Sequence, residues 1–304
     1  MRITVLGLGN MGQAIASRLL DTGHTLRLWN RTPGKATALQ ARGALELHSI
    51  REAVDDAEVV ITMVADDAAT RAVALGPDGA IAAFAPNTIL VDMSTVAPAT
   101  SRALATAVPG GRCVDAPYLG SPAVAAAGQG NLLLGGPSDL VTQLDQLWSD
   151  LSAGHVYCGP SGSGTTLKLV SNLILITGIT TLAEALVTAQ AQGVADELLE
   201  RIFSQSPLVA VGLRNRLADL IAGDHEGWFS VTLAHKDLRL ALELAAQRDL
   251  TLPTTTAALG ALERAAATGY AAHDFAAVVE VVRGTASAGS ATDGEQQDGR
   301  TSRP

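Results

Sequence analysis

Two stretches of the 304-residue chain hold residue types at spacings that can do chemistry. Near the N-terminus, Gly7-Leu8-Gly9-Asn10-Met11-Gly12 follows the apolar run Arg2–Leu6 and leads into a helical pattern. In such a strand–turn–helix the first glycine allows a tight turn, the second lets the backbone approach a pyrophosphate, and the third permits close helix–strand packing. The helix N-terminus then offers unpaired N–H groups and a partial positive charge to the diphosphate. This stretch is read as a dinucleotide loop; the plainer alternative is a glycine turn with no ligand. The second stretch is Leu167-Lys168-Leu169-Val170-Ser171-Asn172-Leu173-Ile174, where Lys168 is the only Lys, Arg, Asp or Glu between Asp150 and Glu184. A helical reading puts Asn172 one turn after Lys168 on the same face. An amine in so apolar a run loses hydration of its charged form, which depresses its pKa and suits a proton donor to a carbonyl oxygen. The plainer alternative is a lysine whose amine snorkels to water.

The end of the next strand pattern, Thr25–Trp29, bears on which nicotinamide cofactor fits. A carboxylate there would accept from a ribose 2′-hydroxyl. The chain instead reads Asn30-Arg31-Thr32, with Lys35 beyond. Arg31 can pair with a 2′-phosphate in a bidentate fork and Thr32 can add a hydroxyl, so NADPH/NADP+ is preferred over NAD.

The elements that must position these groups follow from periodicity. Apolar strand patterns at Arg2–Leu6, Thr25–Trp29, Glu58–Met63, Ile89–Met93, Arg112–Val114, Asn131–Leu134 and His155–Cys158 alternate with helical patterns near 10–22, 33–42, 67–74, 97–107 and 138–151. That alternation predicts an α/β fold, a Rossmann doubly wound and mostly parallel sheet over 1–160. After the glycine-rich run at 159–164 no strand pattern recurs. A helical pattern from about Thr165 to Gln192, roughly 42 Å long at 1.5 Å per residue, opens an all-helical substrate and dimerisation domain over 161–284. Further helices are expected at 195–205, 213–222, 236–248, 254–268 and 274–283. Residues 285–304 lack large apolar side chains and read as a disordered tail.

Composition bounds the partners. The formal charge of −9 and the lack of a Lys/Arg cluster give no nucleic-acid footprint. Cys113 and Cys158 do not make a secreted disulfide framework, no His, Cys and carboxylate cluster suggests a metal, and Lys168, Asn172 and Glu184 interrupt the most apolar stretch, so no membrane span is expected. A cytoplasmic protein with a small-molecule substrate results. The long helix is apolar on most faces, through Leu173, Ile174, Ile176, Ile179 and Leu182, and needs cover on several sides, which predicts a homodimer.

Gly7–Gly12, Asn30-Arg31-Thr32, Asp92-Met93-Ser94-Thr95, Asp115-Ala116-Pro117, the run Gly164–Asn172 and Lys236-Asp237 occur in one order. Together they resemble the β-hydroxyacid dehydrogenase family, with its 3-hydroxyisobutyrate dehydrogenases and glyoxylate/succinic semialdehyde reductases, within the 6-phosphogluconate dehydrogenase superfamily. The resemblance covers about residues 1–283. It implies Lys168 as acid/base with Asn172 beside it, and a cofactor held by the glycine loop, Asn30, Arg31, Thr32, Val64, Thr95 and Lys236. It further implies a substrate site at Leu119, Gly120, Ser121 and Phe229, with Asp237 anchoring the turn beside Lys236. The activity implied is NADPH-dependent hydride transfer to a semialdehyde or between 2-oxo and 3-hydroxy acid types, in a cleft between the domains. Capping by Thr95, a helix start at Lys236-Asp237 and core packing of Phe229 are the plainer alternatives. One departure stands out: Leu119 occupies the position where the family carries a carboxylate-binding serine, leaving Gly120 N–H and Ser121 as partial substitutes. A bulkier or less polar carbonyl is compatible with that loop. Tyr118 is read as a packing residue before a second proton donor. An imine reductase or reductive aminase shares the architecture, though Lys168 counts against an iminium substrate. A non-catalytic NADPH-binding protein is a further alternative.

Overall fold

A computed structural model describes residues 1–284. The stretch 285–304, expected above to be disordered, lies outside the described residues. Within them the chain forms two compact units, Met1–Ser171 and Asn172 onward.

The first unit is built on a nine-stranded sheet in the order β3-β2-β1-β4-β5-β6-β8-β7, with β9 against β8. Its strands are β1 (Arg2–Leu6), β2 (Thr25–Trp29), β3 (Leu45–Glu46), β4 (Val59–Thr62), β5 (Ile89–Asp92), β6 (Cys113–Asp115), β7 (Tyr118–Leu119), β8 (Asn131–Gly135) and β9 (Gly154–Gly159). The run from β3 to β6 is parallel, β8 is antiparallel to β6 and β7, and β9 is parallel to β8. Central parallel strands have helices on both faces and so read as continuous apolar runs; β4 and β5 are buried at every position. Alternate residues divide between two cores. Ile3, Val5, Val59, Ile61, Ile89 and Val91 belong to one, while Leu6, Val60 and Leu90 belong to the other. Because β1 is flanked by β2 and β4, strand order reverses there, and the carboxyl ends of β1 and β4 form the crevice where such sheets bind ligands.

Helices α1 (Asn10–Asp21), α2 (Thr37–Gln40), α3 (Ile50–Val54), α4 (Asp67–Leu75), α5 (Pro98–Ala107), α6 (Pro122–Ala126), α7 (Ser138–Gln143) and α8 (Asp145–Leu151) connect these strands. The single helix expected over 138–151 is two, since Leu144 leaves helical geometry at φ −98° and ψ 13°. The expected 33–42 shrinks to α2. Strands β3 and β7 are two residues each, too short for a period-2 pattern to reveal.

Helix α9 (Ser163–Ala191) runs for 29 residues. By length and composition it is apolar enough to cross a membrane, yet Ile176, Ile179, Ala183 and Leu186 are wholly buried in the core of the second unit. That unit adds α10 (Asp196–Phe203), α11 (Val211–Arg214), α12 (Leu217–Ala222), α13 (Val231–Ala246) and α14 (Pro253–Ala265), with helix again at 278–284. Helix α13 starts five residues ahead of the expected 236, because Ser230 caps it by accepting from Leu233 N–H at 3.3 Å. Its approach is fixed by a buried fork. Arg216 reaches Asp274 through Nε at 2.7 Å and Nη2 at 3.1 Å, and Asp274 also accepts from Phe229 N–H.

Candidate active site

The glycine loop lies at the carboxyl end of β1, and each glycine meets a different constraint. Gly7 has φ +107°, and a Cβ there would overlap the Met63 carbonyl oxygen; one at Gly12 would overlap the Gly7 carbonyl oxygen. Around Gly9 a Cβ would meet nothing within 4 Å. The protein itself therefore does not demand glycine at 9, whereas a closely approaching ligand does. Helix α1 begins immediately after, with no side-chain cap and no acidic residue in its first turn, so its N–H groups and partial positive charge are not opposed locally. These features fit a dinucleotide diphosphate. Leu8 contributes less directly: its side chain is fully buried and its N–H donates to Asn30 Oδ1 at 2.9 Å. Asn30 Nδ2 in turn donates to Thr32 O at 2.8 Å. Asn30 thus ties the glycine loop to the end of β2, a positioning task. Arg31 and Thr32 are exposed beside it, and the Arg31 guanidinium has no ion pair or hydrogen bond among the described residues.

The loops after β4 and β5 are joined by side chains. Val64 N–H donates to Ser94 Oγ at 3.1 Å, Ser94 N–H donates to Asp92 Oδ1 at 3.1 Å, and the Thr62 hydroxyl donates to the same oxygen at 2.7 Å. Asp92 is fully buried, and its Oδ2 finds no hydrogen bond among the described residues. Burial pushes its carboxyl up to about 6, the bonds from Thr62 and Ser94 pull it part of the way back, and Asp115 adds repulsion. On the far side of Thr95, Asp67 Oδ1 accepts from Ala97 N–H at 2.9 Å and from the Thr100 hydroxyl at 2.6 Å. Thr95, half-buried, is held between these two anchors. Asp67, Ser94 and Thr62 escaped sequence reasoning. Of the three, only Ser94 was signalled in the sequence, by its place beside Thr95 in the Asp92–Thr95 motif.

Leu119 and Gly120 are half-buried, on β7 and at its end, where β7 pairs with β8 through Tyr118–Leu132 and Leu119–Asn131. Ser121 is the N-cap of α6, accepting from Val124 N–H at 3.3 Å. Tyr118 is buried, donating to Leu151 O at 3.2 Å and accepting from Gly130 N–H at 2.9 Å. Burial also raises its hydroxyl above the usual phenol range, so packing is the role its surroundings support.

Lys168 is half-buried in the second turn of α9, and Asn172 lies one turn further on. In the second unit the Asn172 amide donates to Asp237 Oδ2 at 2.6 Å, and both residues are buried. Asp237 Oδ1 stands 2.8 Å from Lys236 Nζ, a close ionic contact without hydrogen-bond alignment. Asp237 is thus engaged by Asn172 and Lys236. Phe229 belongs to the core of this unit, 5.2 Å from Phe275 in an edge-to-face contact. A cavity of about 510 Å³ lined by Asp224, His225, Tyr270, His273, Glu280 and Arg283 shares none of these residues. No cluster of three or more metal-ligating side chains occurs among the described residues.

Residues 2–159 match the family model described as the NAD binding domain of 6-phosphogluconate dehydrogenase, and residues 162–282 match that of the NAD-binding of NADP-dependent 3-hydroxyisobutyrate dehydrogenase. This chain belongs to the β-hydroxyacid dehydrogenase family. It is 30% identical over 284 residues to the 2-(hydroxymethyl)glutarate dehydrogenase of Eubacterium barkeri, covering 92% of this chain and 94% of that one. It is also 30% identical to glyoxylate/succinic semialdehyde reductase 1 of Arabidopsis thaliana, over 93% and 99%. The solved structure of 3-hydroxyisobutyrate dehydrogenase (ygbJ) from Salmonella typhimurium superposes with a TM-score of 0.86 at 24% identity, over 92% and 99% of the two chains. The fold of an imine reductase from Pseudomonas sp. is also similar, with a TM-score of 0.60 at 23% identity over 92% and 99%. Membership in the β-hydroxyacid dehydrogenase family makes the protein an oxidoreductase that uses a nicotinamide dinucleotide, and it agrees with the glycine geometry at Gly7, Gly9 and Gly12.

Proposed function

We propose that this β-hydroxyacid dehydrogenase homologue transfers hydride reversibly between NADPH and a small carbonyl or hydroxyacid, of the semialdehyde or 2-oxo/3-hydroxy acid type. When bound, the nicotinamide supplies or takes up the hydride. Lys168 gives the proton to the carbonyl oxygen in the reducing direction and removes it in the other. Asn172, held by Asp237, presents a fixed amide one turn away. The N-terminus of α1 binds the diphosphate, Arg31 and Thr32 take the 2′-phosphate, and Thr95 and Val64 flank the nicotinamide.

The observation that carries this reading is the isolation of Lys168 as the one amine on the apolar first half of α9, in a chain whose family reduces carbonyls with a nicotinamide. Replacing Lys168 by Ala is expected to lower kcat by about 10²–10⁴-fold, the usual range for a lost general acid, with the Kd for NADPH unchanged. Steady-state kinetics with a panel of semialdehydes and 2-oxo acids, with fluorescence titration of NADPH, measures both. A Lys168→Ala enzyme that keeps full turnover removes the assignment.

Leu119 favours a second reading, imine reduction, because it takes a hydroxyl out of the loop that binds carboxylates in the family. NADPH oxidation with glyoxylate and succinic semialdehyde, against oxidation with a cyclic imine, separates the two. We also propose that the protein is a homodimer, supported by exposed apolar side chains on α9.

A further inference from the structure

The first turn of α9 carries no acidic residue of its own, yet its leading N–H groups are satisfied by a carboxylate from a strand about 50 positions earlier in the chain. Asp115, the last residue of β6, is buried, and its Oδ1 accepts from Gly162 N–H at 2.7 Å. Its Oδ2 accepts from Thr165 N–H at 3.0 Å and from the Thr165 hydroxyl at 3.2 Å. Thr165 Oγ1 also lies 2.9 Å from Ser101 Oγ on α5. Two glycines close the fit. A Cβ on Gly135 would come 2.6 Å from both Asp115 carboxylate oxygens, and one on Gly164 would overlap the Leu133 carbonyl oxygen. The start of α9 is thus pinned in height by the carboxylate and in rotation by the forked contact at Thr165.

Lys168 follows Thr165 by three residues, about 4.5 Å further along the axis and on an adjoining part of the same face. Whatever fixes Thr165 fixes where the Lys168 side chain leaves the helix. We infer that Asp115 is a positioning residue for Lys168: it acts as a remote N-cap that sets the register of α9 against the sheet and thereby the reach of the amine. The inference rests on Lys168 being the proton donor. It gives the Asp115-Ala116-Pro117 motif a task distinct from that of the substrate loop that follows it.

The test compares Asp115→Asn, Thr165→Val and Lys168→Ala, with each kcat normalised to NADPH-binding sites by titration. Asn keeps one acceptor but turns an N–H donor toward either Gly162 N–H or Thr165 N–H, so the start of α9 must shift. Misplacing a catalytic group by around an ångström can cost about 10²-fold, so Asp115→Asn is expected to lower kcat per site about 10- to 100-fold. The Kd for NADPH should stay within about 2-fold and the solvent deuterium isotope effect on kcat should rise, because proton transfer slows relative to hydride transfer. Thr165→Val keeps the carboxylate and removes one fork tine; it is expected to lower kcat per site about 3- to 10-fold, which keeps the test open if Asp115→Asn does not fold. Wild-type kcat per site and isotope effect in these variants, with Lys168→Ala inactive, overturns the positioning role and leaves the general-acid reading standing. An active Lys168→Ala enzyme brings down that reading, and the positioning role with it.

Discussion

At the scale of single residues, Asp92 and Arg31 carry charges whose surroundings differ sharply. Asp92 is buried, and burial raises its carboxyl from 3.8 to about 6. The folded chain therefore holds a proton there over a pH range in which the unfolded chain has released it, roughly 4 to 6. For an acid shifted upward, the stability so gained, about 3 kcal/mol in all, is fully present below about 4, is lost as pH rises through the window, and changes no further once pH is well above 6. Asp92→Asn keeps an oxygen to accept from Thr62 and Ser94 and does not titrate. Urea unfolding at pH 5 and pH 8 is expected to show the variant gaining about 1–1.5 kcal/mol on wild type between the two, since about half of the loss is already complete at pH 5; parallel curves would contradict the buried-acid account. Arg31 is the opposite case, an exposed guanidinium at the end of β2. If it takes the 2′-phosphate, Arg31→Ala should weaken NADPH by about 10- to 100-fold, the worth of a charged hydrogen-bonded pair, and leave NADH nearly unchanged. Equal losses for both cofactors would assign Arg31 elsewhere.

At the scale of elements, legibility tracked periodicity and length. β1 and β2 were readable to the residue, because β1 is a compact apolar run, β2 alternates, and both end at strong punctuation, Gly7 and the Asn30-Arg31-Thr32 turn. α9 was readable because an uninterrupted apolar run of that length has few alternatives; its start moved only from about Thr165 to Ser163. What stayed hidden depends on contacts remote in sequence. β3 exists because Leu45 and Glu46 pair with Arg27 and Leu28. The break at Leu144 is not announced by a glycine or a proline, so propensity alone ran one helix through it. The same limit applied to the site. Gly7, Gly9, Gly12 and Lys168 announce themselves by type and spacing, whereas the ties from Asn30 to Leu8, from Asp237 to Asn172 and from Asp115 to Thr165 join residues 22, 65 and 50 positions apart. No local pattern encodes such bonds. They appear only once the strands are in register and bring each carboxylate or amide to the loop it holds.

At the scale of the whole molecule, α9 raises a question of cover. Helices apolar all round belong in interiors, yet Leu167, Val170 and Ile174 are 43%, 43% and 64% exposed, at the i, i+3, i+7 spacing of one helical face. Ile202, Leu208 and Val211 add further large apolar side chains in water. Fully burying a side chain of this size is worth about 1.5–3 kcal/mol, so a second copy covering the α9 stripe would recover several kcal/mol at two symmetric patches. A two-fold interface presents the same patch from both copies, so one substitution alters it twice. Ile174→Glu would then put two carboxylates into the contact. Size-exclusion chromatography with light scattering should give about twice the 31.1 kDa chain mass for wild type at micromolar concentration. For Ile174→Glu it should give a mass falling toward the monomer on dilution. A wild-type protein that elutes as a monomer, or a variant as firmly dimeric as wild type, would mean that some other surface, or none, meets a second copy.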